Sequence, residues 1–90
     1  MKTEAVLSAE IEKWTKKISS ELENAEAASP KGKEMLRNIK AYVEDSAHFS
    51  EGGDLVRSFE AIVWAWAWLE IGIDMQHIAK EYVDIRKLKA

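Results

Sequence analysis

Residues 61–69, AIVWAWAWL, run for nine positions without a polar side chain and place tryptophan at 64, 66 and 68. At helical spacing Trp64 and Trp68 share one face, and Trp66 points roughly the other way. Followed in both directions, the run separates into two apolar stripes. One is Leu55, Phe59, Ile62, Trp66, Leu69 and Ile73; the other is Ala61, Trp64, Trp68, Ile71, Met75, Ile78, Tyr82 and Ile85. A helix that rests on one core needs a single apolar stripe roughly 100° wide. A helix with two opposed stripes must be covered on both sides, so the strongest feature of this chain speaks of association rather than of catalysis.

The rest of the chain supplies helices to cover the first stripe. Leu7, Ile11, Trp14, Ile18, Leu22 and Ala25 recur at spacings of three and four, with no glycine or proline between 3 and 28, which predicts a first helix over about 3–28. Ser29-Pro30-Lys31-Gly32 ends it, because proline restricts its predecessor and suits the first turn of a new helix. A second helix is expected over about 31–50, carrying Leu36, Ile39, Val43 and Phe49 near one face, until Gly52-Gly53 breaks it. Asp54 is placed to cap a third helix, whose pattern continues to about 88. Gly72 is a possible break in that helix, with Asp74 as the cap of a fourth, but a single glycine costs a helix interior only about 1 kcal/mol. The short β-branched runs sit inside helical periodicity, and no strand is expected. The connections are short, so the expectation is one all-α domain over 1–90, a three-helix up-and-down bundle with a long third helix. The far end of that helix, with Ile78, Tyr82, Ile85 and Leu88, would overhang the turn at Pro30.

Composition narrows the function classes. A 47% hydrophobic fraction beside 32% charged residues belongs to a folded chain rather than a disordered one. The net charge is −3 and no third of the chain is basic overall, so the footprint of a general nucleic-acid binder is missing. With no cysteine, disulfides and thiolate metal sites are ruled out. The longest apolar run is about half of the ~20 residues that span a bilayer, and MKTEAVLSAEIEK lacks the apolar core of a signal peptide. A cytoplasmic protein with no membrane association is expected.

Two Asp-x-x-His pairs, Asp45/His48 and Asp74/His77, are the best candidates for chemistry. Glu70, Asp74 and His77 would line one face of a continuous helix, and carboxylate-histidine motifs on facing helices build metal sites in bundles. A full site needs several more inward-facing carboxylates, so metal-dependent or nucleic-acid-linked activity at these five residues is the alternative reading. Ser46, Ser50 and Ser58 lack the strained turn of a nucleophile elbow. Gly52-Gly53-Asp54 fits a turn and a helix cap better than a phosphate loop, since Asp54 would repel an anion.

Residues 42–72, YVEDSAHFSEGGDLVRSFEAIVWAWAWLEIG, resemble the central motif of a family of small archaeal proteins known as domain of unknown function 357. The resemblance is carried by Tyr42, Asp45-Ser46, Phe49, Gly53-Asp54, Ser58-Phe59, Trp64-Ala65 and Leu69-Glu70-Ile71-Gly72. It implies a three-helix up-and-down bundle and an archaeal, cytoplasmic origin, and it implies no activity. The leading expectation is therefore a module that is not an enzyme and takes no cofactor. It would associate as a homodimer, or with another protein, through Trp64, Trp68, Ile71, Met75, Ile78, Tyr82 and Ile85.

Overall fold

The computed structural model describes residues 2–80. Three helices, α1 (Lys2–Glu23), α2 (Pro30–Glu51) and α3 (Leu55–Asp74), form the expected up-and-down arrangement. Two short strands, β1 (Ala25–Ala27) and β2 (Ile78–Lys80), pair antiparallel with Ala25 opposite Lys80 and Ala27 opposite Ile78. The third helix is the central element, packing against α2 along its length and against α1 on an adjoining flank.

The helix starts follow from local chemistry. Ser29 Oγ accepts the Gly32 N–H at 3.0 Å, with Pro30 in the first turn where its missing N–H costs nothing. Asp54 Oδ1 does the same for the Arg57 N–H at 3.1 Å. Both helix ends at α2 and α3 close with a Schellman pair of backbone bonds, in which a left-handed residue turns the chain and two orphan carbonyls are satisfied. After α2 the Asp54 N–H reaches Phe49 O and the Gly53 N–H reaches Ser50 O, with Gly53 at φ +82°. After α3 the His77 N–H reaches Gly72 O and the Gln76 N–H reaches Ile73 O, with Gln76 at φ +65°.

That second turn corrects the long third helix. α3 stops at Asp74 rather than near 88, because Gln76 reverses the chain and sends it back as β2. Gly72 neither breaks the helix nor precedes a fourth one: its bare backbone is the seat for Ile78, and a Cβ there would collide with the Ile78 side chain and lie 3.2 Å from Met35 Cε. Ile78 is consequently 2% exposed and part of the core, not on an overhang. The first helix also ends earlier than expected, at Glu23, since residues 25–27 are drawn into the ribbon with β2. Tyr82, Ile85 and Leu88 lie outside the described residues.

The core joins all these elements. Ile18 of α1, Met35 and Ile39 of α2, Ile62, Ala65 and Leu69 of α3, and Ile78 of β2 form one buried cluster, flanked by half-buried Trp14, Leu22, Phe59 and Trp66. Near the turn between α2 and α3, the buried side chains are Ser46 and Ser58. Their small size lets the two helices approach closely, and each hydroxyl donates to the other residue's backbone carbonyl. At the opposite end, Gly32 permits another close approach: a Cβ there would strike the His77 carbonyl oxygen.

Candidate interaction surface

α3 buries Ser58, Ala61, Ile62, Ala65, Leu69 and Gly72 along the stripe that faces its neighbours. Beside that stripe, Trp64, Trp68, Ile71 and Met75 are 54, 38, 40 and 60% exposed. Spacings of four, three and four place them on one face with no charged side chain between them. The first apolar stripe expected from sequence is thus buried or half-buried within the protein itself, whereas these four members of the second face solvent. The patch borders α2 through a recess that Trp68 lines together with Lys31, Met35, Asn38 and Tyr42. At its N-terminal end stands Arg57, one heptad before Trp64, held 3.5 Å from Asp54 Oδ2 and 5.9 Å from the Phe49 ring.

A second apolar surface lies on the other flank of α3. Trp14 of α1 meets Trp66 edge to face, ring centroids 5.8 Å apart, a favoured arrangement for two aromatic quadrupoles. The Trp66 Nε1–H donates to the Trp14 carbonyl at 3.2 Å, and the Trp14 Nε1–H donates to Glu10 at 3.0 Å. Beside the pair runs an open groove of about 440 Å³ lined by Trp14, Phe59, Ile62, Val63, Trp66, Ala67 and Glu70. Sequence periodicity points to Trp14 and Trp66 as core residues but gives no sign of the groove, which exists because α1 covers only part of that flank.

The polar candidates do not converge. Asp45 and His48 are exposed on α2; Glu70 and Asp74 are exposed on α3. The turn at Gln76 removes His77 from the helical register that would align it with Glu70 and Asp74. Instead, His77 Nδ1 lies 2.8 Å from Ser29 Oγ and the His77 carbonyl accepts the Ala28 N–H at 2.8 Å, so the residue fastens the α3 exit to the start of α2. Among the described residues no group of three or more histidine, aspartate or glutamate side chains is arranged to hold a metal ion. Ser46 and Ser58 hydrogen-bond each other and the backbone, a structural use of the hydroxyls. Their position was present in the pattern: Ser46 is seven residues from Ile39, and Ser58 seven from Ala65, both on apolar stripes. Among the described residues no helix is long and apolar enough to cross a membrane.

The chain is similar to a crystal structure of protein AF1782 from Archaeoglobus fulgidus, assigned to the DUF357 family, with 42% sequence identity and a TM-score of 0.80. The similarity covers 88% of this chain and 99% of that one. A search among curated proteins finds no match. The family model "Protein of unknown function (DUF357)" matches residues 9–78, from the first turns of α1 to the core residue Ile78. That span takes in the Tyr42–Gly72 motif, both helix-end turns and the whole buried cluster, and the chain belongs to the DUF357 family.

Proposed function

We propose that the protein is a non-enzymatic association module of the cytoplasm, working as a homodimer through Trp64, Trp68, Ile71 and Met75. The observation that carries the reading is the exposure of these four side chains on one uncharged face of the central helix. Monomeric proteins seldom leave neighbouring large apolar groups in water, and tryptophans are enriched among the residues that anchor interfaces. A two-fold pairing sets this face against its own copy, so every apolar group meets another without requiring a complementary surface. Covering it gains about 25 cal/mol per Å2 of apolar area removed from water, reduced by the entropy lost on association. Ile78 has no part in this interface, since it is spent on the core.

Light scattering behind size exclusion, over about a hundredfold range of concentration, tests the proposal against the mass-action behaviour of a reversible dimer. The wild-type chain should populate a dimer as concentration rises. Trp64→Ala with Trp68→Ala should remain monomeric while keeping its helical circular dichroism, because neither side chain belongs to the buried cluster. A wild type that stays monomeric throughout, or a double variant that dimerises equally well, overturns the proposal.

A further inference from the structure

We propose that the homodimer pairs its two α3 helices antiparallel, with Trp64 of each protomer against the partner's Trp68 and Arg57 of each against the end of the partner's α3 at Asp74. The inference rests on the homodimer proposed above and assigns its register and its orienting contact. The exposed stripe is bounded at its two ends by charges of opposite sign. Arg57 stands at its start, seven residues before Trp64 on the same face, with its side chain 68% exposed. Asp74 stands exposed beside Met75 at its end, where the last carbonyls of α3 add a partial negative charge. Between them the stripe is Ala61, Trp64, Trp68 and Ile71, all uncharged.

A two-fold axis can align the two helices in two ways. An axis running along α3 makes them parallel and sets each residue against its own copy, so Arg57 meets Arg57 and Asp74 meets Asp74. An axis running across α3 makes them antiparallel and sets the basic end of one against the acidic end of the other. Charge complementarity selects the second. The register follows from the positions: Arg57 and Met75 lie eighteen residues apart, about 27 Å along the helix, with their midpoint level with Trp66. With the axis there, position 64 faces 68, position 61 faces 71 and position 57 faces 75. Trp64 meets the partner's Trp68 on each side of the axis, and Ile71 seats over the small Ala61. The methylenes of Arg57 cover Met75 while its guanidinium reaches Asp74, so all four exposed apolar side chains are covered in one register. The present contact of Arg57 with Asp54 holds it only weakly, being a single 3.5 Å approach between groups 68 and 44% exposed. Exposed Glu60, one turn after Arg57, raises the demand for that cation, since without it the partner's Asp74 would meet a carboxylate.

Charge reversal tests the contact, and spin labels test the orientation. Glutamate suits the first turn of a helix and lysine the last, so Arg57→Glu and Asp74→Lys should both keep the fold. By sedimentation equilibrium of the full chain, Arg57→Glu should weaken dimerisation about tenfold, and Asp74→Lys added to it should restore most of the loss. Failure of the second change to restore the dimer overturns the proposal, because in a parallel pair positions 57 and 74 stand about 25 Å apart. The chain has no cysteine, so Val56→Cys or Val63→Cys, both exposed on α3, carries a single nitroxide per protomer. In the antiparallel pair the two labels at position 56 should lie about 15 Å or more further apart than the two at position 63, read by pulsed electron paramagnetic resonance. Equal separations, as a parallel pair gives, overturn the proposal. Failure of restoration or equal separations in a wild type that dimerises would leave the homodimer standing, whereas a monomeric wild type removes both readings, so the two failures are distinct.

Discussion

Ser46 and Ser58 exchange hydrogen bonds across the α2–α3 interface: Ser46 Oγ donates to Ser58 O at 2.8 Å and Ser58 Oγ donates to Ser46 O at 2.7 Å. Both side chains are buried, and neither hydroxyl is left without a partner. Replacing both by alanine removes the two hydroxyl donors and leaves both backbone carbonyls without them, which should cost about 1–2 kcal/mol. Ser58→Leu should cost more, about 1–3 kcal/mol, because a large side chain at this fully buried contact drives the helices apart. Urea unfolding followed by circular dichroism checks both, and a leucine variant as stable as wild type would remove the close-approach argument.

Gly32 reverses the usual sign of a glycine substitution in a helix. On an open helix face alanine is more stable than glycine by about 1 kcal/mol. Here the added methyl would meet the His77 carbonyl oxygen, a backbone atom that cannot rotate away. Gly32→Ala should therefore destabilise by about 1–3 kcal/mol, as an overpacked site does. Thermal unfolding of this variant, compared with Gly52→Ala where neighbours stand at 3.6 Å or more, isolates the collision.

Gln76 occupies a left-handed position that glycine holds in the corresponding turn at Gly53. The left-handed region costs a residue with a Cβ about 1–2 kcal/mol, partly offset by the extra freedom glycine has when unfolded. Gln76→Gly should raise stability by up to about 1 kcal/mol, and Gln76→Val should lower it. A loss of stability in the glycine variant would mean that α3 continues past Asp74 in solution.

Trp66 and Trp64, two residues apart, should differ sharply when truncated. Trp66→Ala breaks the edge-to-face contact with Trp14 and the hydrogen bond to its carbonyl; a buried aromatic truncated to alanine costs about 3–5 kcal/mol, and at this half-buried site the loss should be about 2–3 kcal/mol. Trp64→Ala should alter the stability of the monomer by no more than about 0.5 kcal/mol, the range of ordinary surface changes. Chemical unfolding at a concentration where stability no longer depends on concentration measures the difference.

The helices, the cap at Asp54 and the two-sided character of α3 are legible in sequence because each leaves a periodic or positional signature. The end of α3 is not. The turns after α2 and α3 are built from the same pair of backbone bonds, yet one has glycine at its left-handed position and the other glutamine, which reads as an ordinary helix residue. From that one omission follow the overlong third helix, the misplacement of Ile78 and the supposed alignment of His77 with Glu70. The ribbon is nearly as silent: apart from Ile78, AEA and IAK hold alanine, glutamate and lysine, residues with little strand preference, and only their mutual position makes them pair. The vacant Trp64 face was legible as a stripe, whereas the groove depends on how far α1 spreads over α3, which no local pattern records.

The β1–β2 ribbon has a kinetic consequence. Its partners are separated by about fifty residues, and closing so long a loop exacts an entropy that only a preformed intervening structure reduces. The α2–α3 hairpin is that structure, because its contacts are close in sequence and need only the short turn at Gly52 and Gly53. The hairpin is thus expected to assemble first, with α1 and the ribbon docking onto it together. The joining of residues 25–27 with 78–80 then comes late in folding, and a change that loosens this clasp should speed unfolding more than it slows folding.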